Sequence, residues 1–448
     1  MVSQIFMRRR LVVALAMTAG ALLAGGGCGT VAPTALPPDA GGAPPGDAPS
    51  GCPQHAPSPA TLQMTDPLAG EHFGFAIAAD HDTVAVGAKD SRRAGPDAAG
   101  AVAVFERHDD TWSAGVPIVA ADPAVGDNFG FSVALSGDVL AVGAPFSTVA
   151  GVQTGAVYLF ARAADASWQE VAKLGSPTGG GLDLFGLSVA IDNGRLVVGA
   201  TAAGDIRQGL VFVYTLDGAR PQLEATLQPG DAVSGMRFGS AVAIADSRIL
   251  IGAPSDSQQA QAAGAAYVFE RGTQGWRATA KLVVDDPARA DFLGFSLALT
   301  QNTAAIGAYT KLNAEGRAVG AVYVFGNYVS GTSDSRWLQQ QKIVAADGTS
   351  GDAFGISVAM RGGLLAIGAT GVDATSTDAG AIYLFRATGG VWQPQAELHA
   401  AAPSENAAYG QAVALSDRGF VATGASQTST TAVLAGSAEL QPLPCPAP

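Results

Sequence analysis

Basic residues are scarce in this chain, with 25 Lys and Arg against 38 Asp and Glu for a formal net charge of −13. Binding the phosphates of nucleic acid needs the opposite balance, so nucleic acid is not an expected partner. The five histidines, His55, His72, His81, His108 and His399, never fall into a His-Glu-x-x-His or similar metal-binding spacing. Neither a Gly-x-Ser-x-Gly elbow nor a Walker loop occurs. Enzymatic activity therefore has no positive support, and no cofactor is expected. The apolar run from Leu11 to Leu23 falls short of the roughly 20 residues of a membrane span. No stretch of the main body carries a sustained helical period. What the chain has in excess is glycine, 58 of 448 residues, without a collagen-like triplet, which implies many turns. Its 48% hydrophobic content is enough to build a core and excludes disorder of the main body.

Residues 1–27 have the layout of an export signal: Arg8, Arg9 and Arg10, then the apolar run, then small residues up to Gly27. Cys28 directly after them resembles the acylated cysteine of the bacterial lipoprotein lipobox, although Gly25 stands where that family usually has Leu. Plain signal-peptidase cleavage is the alternative. The resemblance implies an exported chain lipid-anchored through Cys28, with the outer membrane or cell surface as its expected address and the lipid as its sole membrane contact. Residues 28–55 carry seven prolines among Gly, Ala, Asp and Ser, from Pro33 to Pro53. Such a stretch reads as an extended tether, reaching up to roughly 70 Å at about 3.1 Å per residue.

From there to residue 445 one pattern recurs seven times: Phe73-Gly74, Phe129-Gly130, Phe185-Gly186, Phe238-Gly239, Leu293-Gly294, Phe354-Gly355 and Tyr409-Gly410. The interval is roughly 55 residues throughout, the mark of a repeat architecture. Each pair opens an apolar segment. A second segment closes on Gly-Ala, as at Gly143-Ala144, and a third has the form GAVYLF (Gly155 to Phe160). A fourth opens with Trp. Trp112, Trp168, Trp276, Trp337 and Trp392 all stand at one fixed distance before the next Phe-Gly equivalent, the distance from Trp112 to Phe129. Four β-rich segments per unit, separated by Gly, Asp and Ser turns, predict a four-stranded antiparallel meander. Seven such units predict an all-β, seven-bladed β-propeller over residues 56–445. The Phe-Gly openings, the Gly-Ala-Pro at Gly143 to Pro145 and Gly252 to Pro254, and the aromatic third segment resemble the FG-GAP repeat. That repeat builds the propeller heading integrin α chains and many bacterial surface proteins. The resemblance implies adhesion or binding of a protein or glycan at the cell surface.

Counting the same distance back from Phe73 reaches Ala56, so Ala56 to Met64 occupies the register of a fourth strand. The last unit, opened by Tyr409, has no fourth strand of its own, and its third segment from Gly436 to Gln441 lacks aromatics. The N-terminal segment is expected to complete that blade and close the ring. Pro57 and Pro59 count against its first residues. Cys52 and Cys445 flank this closure and are expected to form a disulfide, which export permits.

Acidic pairs five apart precede four Phe-Gly openings: Asp66 and Glu71, Asp122 and Asp127, Asp286 and Asp291, Asp347 and Asp352. Integrin-type repeats carry Ca²⁺ loops, but between first and second strands, where this chain has only short turns such as Ser136-Gly137-Asp138. Asp80 and Asp82 are the nearest approach to such a loop. Turn capping is the favoured reading of the pairs over Ca²⁺. The recurrent aromatics read as core rather than as sugar-stacking platforms. The long, dissimilar connections between second and third strands share one face with the acidic crossovers, and recognition is expected there. Arg92, Arg93, Asp205, Arg207, Lys311, Arg317, Asp373 and Asp378 are the candidate ligand-face residues, on a chain expected to be monomeric. A secreted propeller hydrolase or lyase and a purely structural envelope protein are the rival readings.

Overall fold

The computed structural model describes residues 58–444, apart from 96, 219, 331–333, 374–375 and 430–433. Cys28, Cys52 and Cys445, and with them the leader, the tether and the expected disulfide, lie outside the described residues. Seven antiparallel sheets follow one another along the chain. Blade 2 is typical, with Ser132–Ser136 innermost, then Val139–Ala144, Ala156–Arg162 and Trp168–Gly175 at the rim. The second and third strands of every blade are almost wholly buried, because both of their faces pack against neighbouring blades.

The ring closes as the register implied. Ala60–Leu62 joins the last blade outside Ser437–Pro442, pairing Ala60 with Leu440, Thr61 with Glu439 and Leu62 with Ala438. The strand begins only after Pro59, as a residue without an N–H requires.

The Phe-Gly pairs differ from expectation in one respect. In blades 2, 4, 5 and 6 the first strand starts a few positions later, at Ser132, Val242, Ser296 and Ser357. In blades 1, 3 and 7 the strand includes the pair, but the ladder shifts register just after it. The pair is a corner. The residue before each Phe equivalent has φ between 52° and 59°, and the Gly has φ between 88° and 92°. At this corner the Phe N–H donates to the preceding blade, as Phe129 does to the Ala99 carbonyl (2.9 Å) and Phe185 to that of Thr154 (3.0 Å). Phe73 donates to the Ala435 carbonyl (2.9 Å), which repeats the bond across the closure.

The same corner explains both recurrent glycines. A Cβ on Gly143, at the end of a second strand, would lie 2.0 Å from the Gly186 carbonyl oxygen of the next blade. The equivalent pairs Gly87 with Gly130, Gly199 with Gly239, Gly252 with Gly294, Gly307 with Gly355, Gly368 with Gly410 and Gly424 with Gly74 are as close. Where serine stands two residues after the corner glycine, its hydroxyl reaches across to the next corner. Ser132 donates to Gly186 (2.8 Å), Ser188 to Gly239 (2.8 Å), Ser296 to Gly355 (2.7 Å) and Ser357 to Gly410 (2.7 Å).

Candidate functional site: the loop face

First strands run away from the corners, second strands return, and third strands leave again. The corners, the crossovers into each blade and the long second-to-third-strand loops therefore share one face. The tight turns occupy the other, and the described chain both begins (Ser58) and ends (Pro444) on the tight-turn side, since Ala60–Leu62 runs antiparallel to Ser437–Pro442.

The acidic pairs divide into two jobs. The second acid caps its own turn: Leu68 N–H donates to Glu71 (3.0 Å), Ala124 to Asp127 (2.9 Å), Ala288 to Asp291 (2.7 Å) and Thr349 to Asp352 (2.6 Å). In blades 2 and 5 the first acid reaches sideways to a cross-strand pair of the blade just beyond it. Asp122 accepts from the Tyr158 hydroxyl (2.9 Å) and the Lys173 ammonium (2.7 Å), and those two residues face each other in the ladder. Asp286 does the same with Tyr323 and Lys342 (2.7 Å each), and Asp231, which lacks a second acid, with Tyr267 (3.3 Å) and Lys281 (2.7 Å). Each lysine also sits 5.0–5.6 Å over its tyrosine ring.

Burial pushes the Asp122, Asp231 and Asp286 carboxyls up, but hydrogen bonds and charge from lysine and tyrosine outweigh it and hold all three below the ordinary range. Lowered folded values mean that these groups stabilise the fold above about pH 4, and that this contribution is lost as pH falls through the folded values.

Blade 6 breaks the pattern. Asp347 still accepts from the Tyr383 hydroxyl (3.2 Å), but the residue opposite Tyr383 is Glu397. Nearby, burial and then the charges of Asp373, Asp352 and Glu405 push the Asp378 carboxyl up. A raised folded value has the opposite sign: its stabilising effect grows as pH falls. Glu397→Lys is expected to complete a fourth Asp-Tyr-Lys set and stabilise the protein by about 0.5–1 kcal/mol at pH 7. Calorimetry should show a higher melting temperature at pH 7 and a gain that shrinks toward pH 3. An unchanged or lower melting temperature would mean that the acidic sector of blade 6 is not under repulsion.

The candidate ligand-face residues fall into two groups. Arg92, Asp205, Arg207, Arg317, Asp373 and Asp378 are exposed on this face, but on four different blades. Only Asp373 and Asp378 come together, where the Asp378 N–H donates to Asp373 (2.8 Å). Arg93 and Lys311 are turned inward. Arg93 pairs with Glu71 (2.6 Å) and also donates to the Asp66 carbonyl (2.6 Å), fastening the first crossover. Lys311 is 4% exposed and pairs with Asp291 (2.7 Å) and Asp286 (3.4 Å). Both cations are committed to carboxylates of the crossovers.

Selecting charged loop residues missed the apolar ones. Val125, Val152, Leu182, Ile206 and Val233 are all exposed on the crossovers and loops of blades 2 to 4. The segments of the last four are stitched together: Leu182 N–H donates to the Gln153 carbonyl (2.6 Å), the Arg207 guanidinium to that of Leu182 (3.4 Å), and Gly235 N–H to that of Arg207 (3.2 Å). Toward the centre, the Phe of each Phe-Gly corner is core, at 2% exposure or less. The residue two positions later is not: Phe75 meets Phe131 (5.1 Å), Phe131 meets Phe146 (6.4 Å), and Phe295, 40% exposed, meets Tyr309 (4.5 Å). An isolated aliphatic residue in a Gly-rich loop was the available signal.

The molecule is thus a closed seven-bladed β-propeller with one diversified, partly apolar face. The FG-GAP repeat model matches residues 59–105, 112–160, 168–214, 222–269, 276–325 and 337–385, more than half of the chain, and the protein belongs to the FG-GAP repeat family. No curated protein matches the chain. Each matched window begins in the outer strand of one blade and ends in the third strand of the next, so the sequence unit is offset from the structural one by a strand. The first three strands of the seventh blade, Tyr409–Leu415, Phe420–Ala425 and the degraded Ser437–Pro442, lie outside these windows, whereas its outer strand, Ala60–Leu62, opens the first of them.

Proposed function

We propose that this protein is a non-catalytic binding protein of the cell envelope, lipid-anchored through Cys28, that captures a protein or glycan on its loop face. The observation that carries this reading is the division of the two faces. The crossovers and the second-to-third-strand loops gather on one face, opposite the tight turns, and present an apolar arc there. The test uses protein-free envelope glycan and, separately, deglycosylated envelope protein as immobilised probes for the full chain. Saturable binding to one of them is expected, and is expected to be lost in a Leu182→Asp, Ile206→Asp, Val233→Asp triple variant with an unchanged melting temperature. Binding to neither, or binding indifferent to the triple variant, would overturn the reading.

The anchor and the closure bond make a separate chemical prediction. The mature chain is expected to begin at a diacylated Cys28, with Cys52 and Cys445 joined. Unfolded without reductant, it should label no thiol; after reduction it should label two. Mass spectrometry of the labelled chain checks both. An unmodified start elsewhere would remove the anchor, and two thiols labelled before reduction would remove the bond.

A further inference from the structure

The rim of blade 1 differs from that of blades 2 to 6. There each outer strand is a single unbroken run, whereas blade 1 has two short pieces, Thr111–Trp112 and Val116–Ile118, separated by Ser113, Ala114 and Gly115. The interruption follows from ring closure. Gly115 bridges to Met64 just beyond the closing strand, and Trp112 packs edge-on against Phe420 of the last blade (5.4 Å). A Cβ on Gly115 would lie 2.4 Å from the Phe105 ring, so only glycine fits at that approach. Drawn toward blade 7, the outer edge of blade 1 leaves a cleft of about 610 Å³ against blade 2.

The lining of this cleft is chemically specific. Val104, Ile118, Phe160 and Trp168 supply apolar and aromatic wall, and Glu106, Asp165 and Glu170 supply carboxylates. No lysine or arginine lines it. Arg162 neutralises Glu106 from outside the lining (2.5 Å), and exposed His108 approaches the same carboxylate (3.8 Å). Glu170 accepts the Ala121 N–H through one oxygen (3.0 Å), and Asp165 is hydrogen-bonded by the Ser167 N–H (3.0 Å) and hydroxyl (2.6 Å). Neither of these two acids has a cationic partner among the described residues. Apolar walls, an indole and uncompensated carboxylates together recognise a positive charge on an apolar body. The cleft volume also falls within the range of small-molecule sites.

We propose that the cleft between blades 1 and 2 binds a small organic ammonium compound, its apolar body against Phe160 and Trp168 and its charge toward Glu170 and Asp165. The site is separate from the loop face, and its test is independent of binding there. The full chain is titrated calorimetrically with hexylammonium and with hexanol, while the Trp168 indole N–H resonance, assigned with Trp168→Phe, is followed by NMR. Hexylammonium is expected to bind saturably and to shift that resonance, with hexanol about tenfold weaker. Glu170→Gln, which keeps the acceptor for Ala121, should weaken hexylammonium about threefold or more. Ala114→Trp, at an exposed lining position, should abolish binding without lowering the melting temperature. Equal affinity for hexanol, wild-type affinity in Ala114→Trp, or no saturation below about 10 mM would overturn the proposal.

Discussion

Gly252→Ala is expected to destabilise the propeller by more than about 4 kcal/mol, an effect usually reserved for large core truncations. The added methyl would lie 2.0 Å from the Gly294 carbonyl oxygen and 2.9 Å from its carbon. Both are backbone atoms of the next blade, so no rotamer change relieves the contact. The two blades must separate, and separation loosens the shared core of Leu250, Leu293 and Ile306. Gly230→Ala is the control, because a Cβ there meets nothing within 4 Å and its φ is ordinary; its cost should be within about 0.5 kcal/mol. Urea denaturation of the full-length variants measures both. A loss below about 1 kcal/mol at Gly252 would show that the blades are not held at this approach.

That steric rule is also why the architecture was legible in the sequence. Backbone-to-backbone contact admits one residue type, so the same two glycines recur at every junction and their spacing counts the blades. The local shape of the corner was not legible. A left-handed residue precedes every Phe equivalent, yet those residues are His72, Asn128, Leu184, Arg237, Phe292, Ala353 and Ala408, and only His72 and Asn128 belong to types enriched in that region. Packing between blades overrides the local preference of the others. The inward turn of Lys311 and Arg93 is illegible for a related reason. A long cation in a loop looks solvent-exposed until the fold places a buried carboxylate, Asp291 or Glu71, beside it. The cleft at blade 1 was invisible because Trp112 keeps the same distance to its Phe-Gly corner as in the intact blades. Gly115 was its sole mark.

Removing the closing strand should have the second large effect, and a different one. Compared with a chain beginning at Ser58, a chain beginning at Thr65 loses Leu62 and Met64, both 3% exposed, and the short ladder to Ala438, Glu439 and Leu440. Burying two such side chains contributes about 3–6 kcal/mol, and the lost strand uncovers Leu440 and Phe420. Blade 7 would then present Ser437–Pro442 as an open edge with unpaired backbone N–H and C=O groups, the kind of edge that pairs with another chain. The shorter chain is therefore expected to melt lower by about 4–8 °C, the fall such a loss implies for a chain of this length, and to self-associate on light-scattering chromatography. Both chains lack Cys52, so the comparison isolates the strand from any bond to Cys445. A synthetic peptide covering residues 58–65 should return the shorter chain to monomer and recover part of the melting temperature, because the vacated edge specifies both register and direction. If the two chains melt together, the Phe73 to Ala435 corner bond and the Gly424 to Gly74 approach suffice to close the ring, and Ala60–Leu62 is an accessory to it.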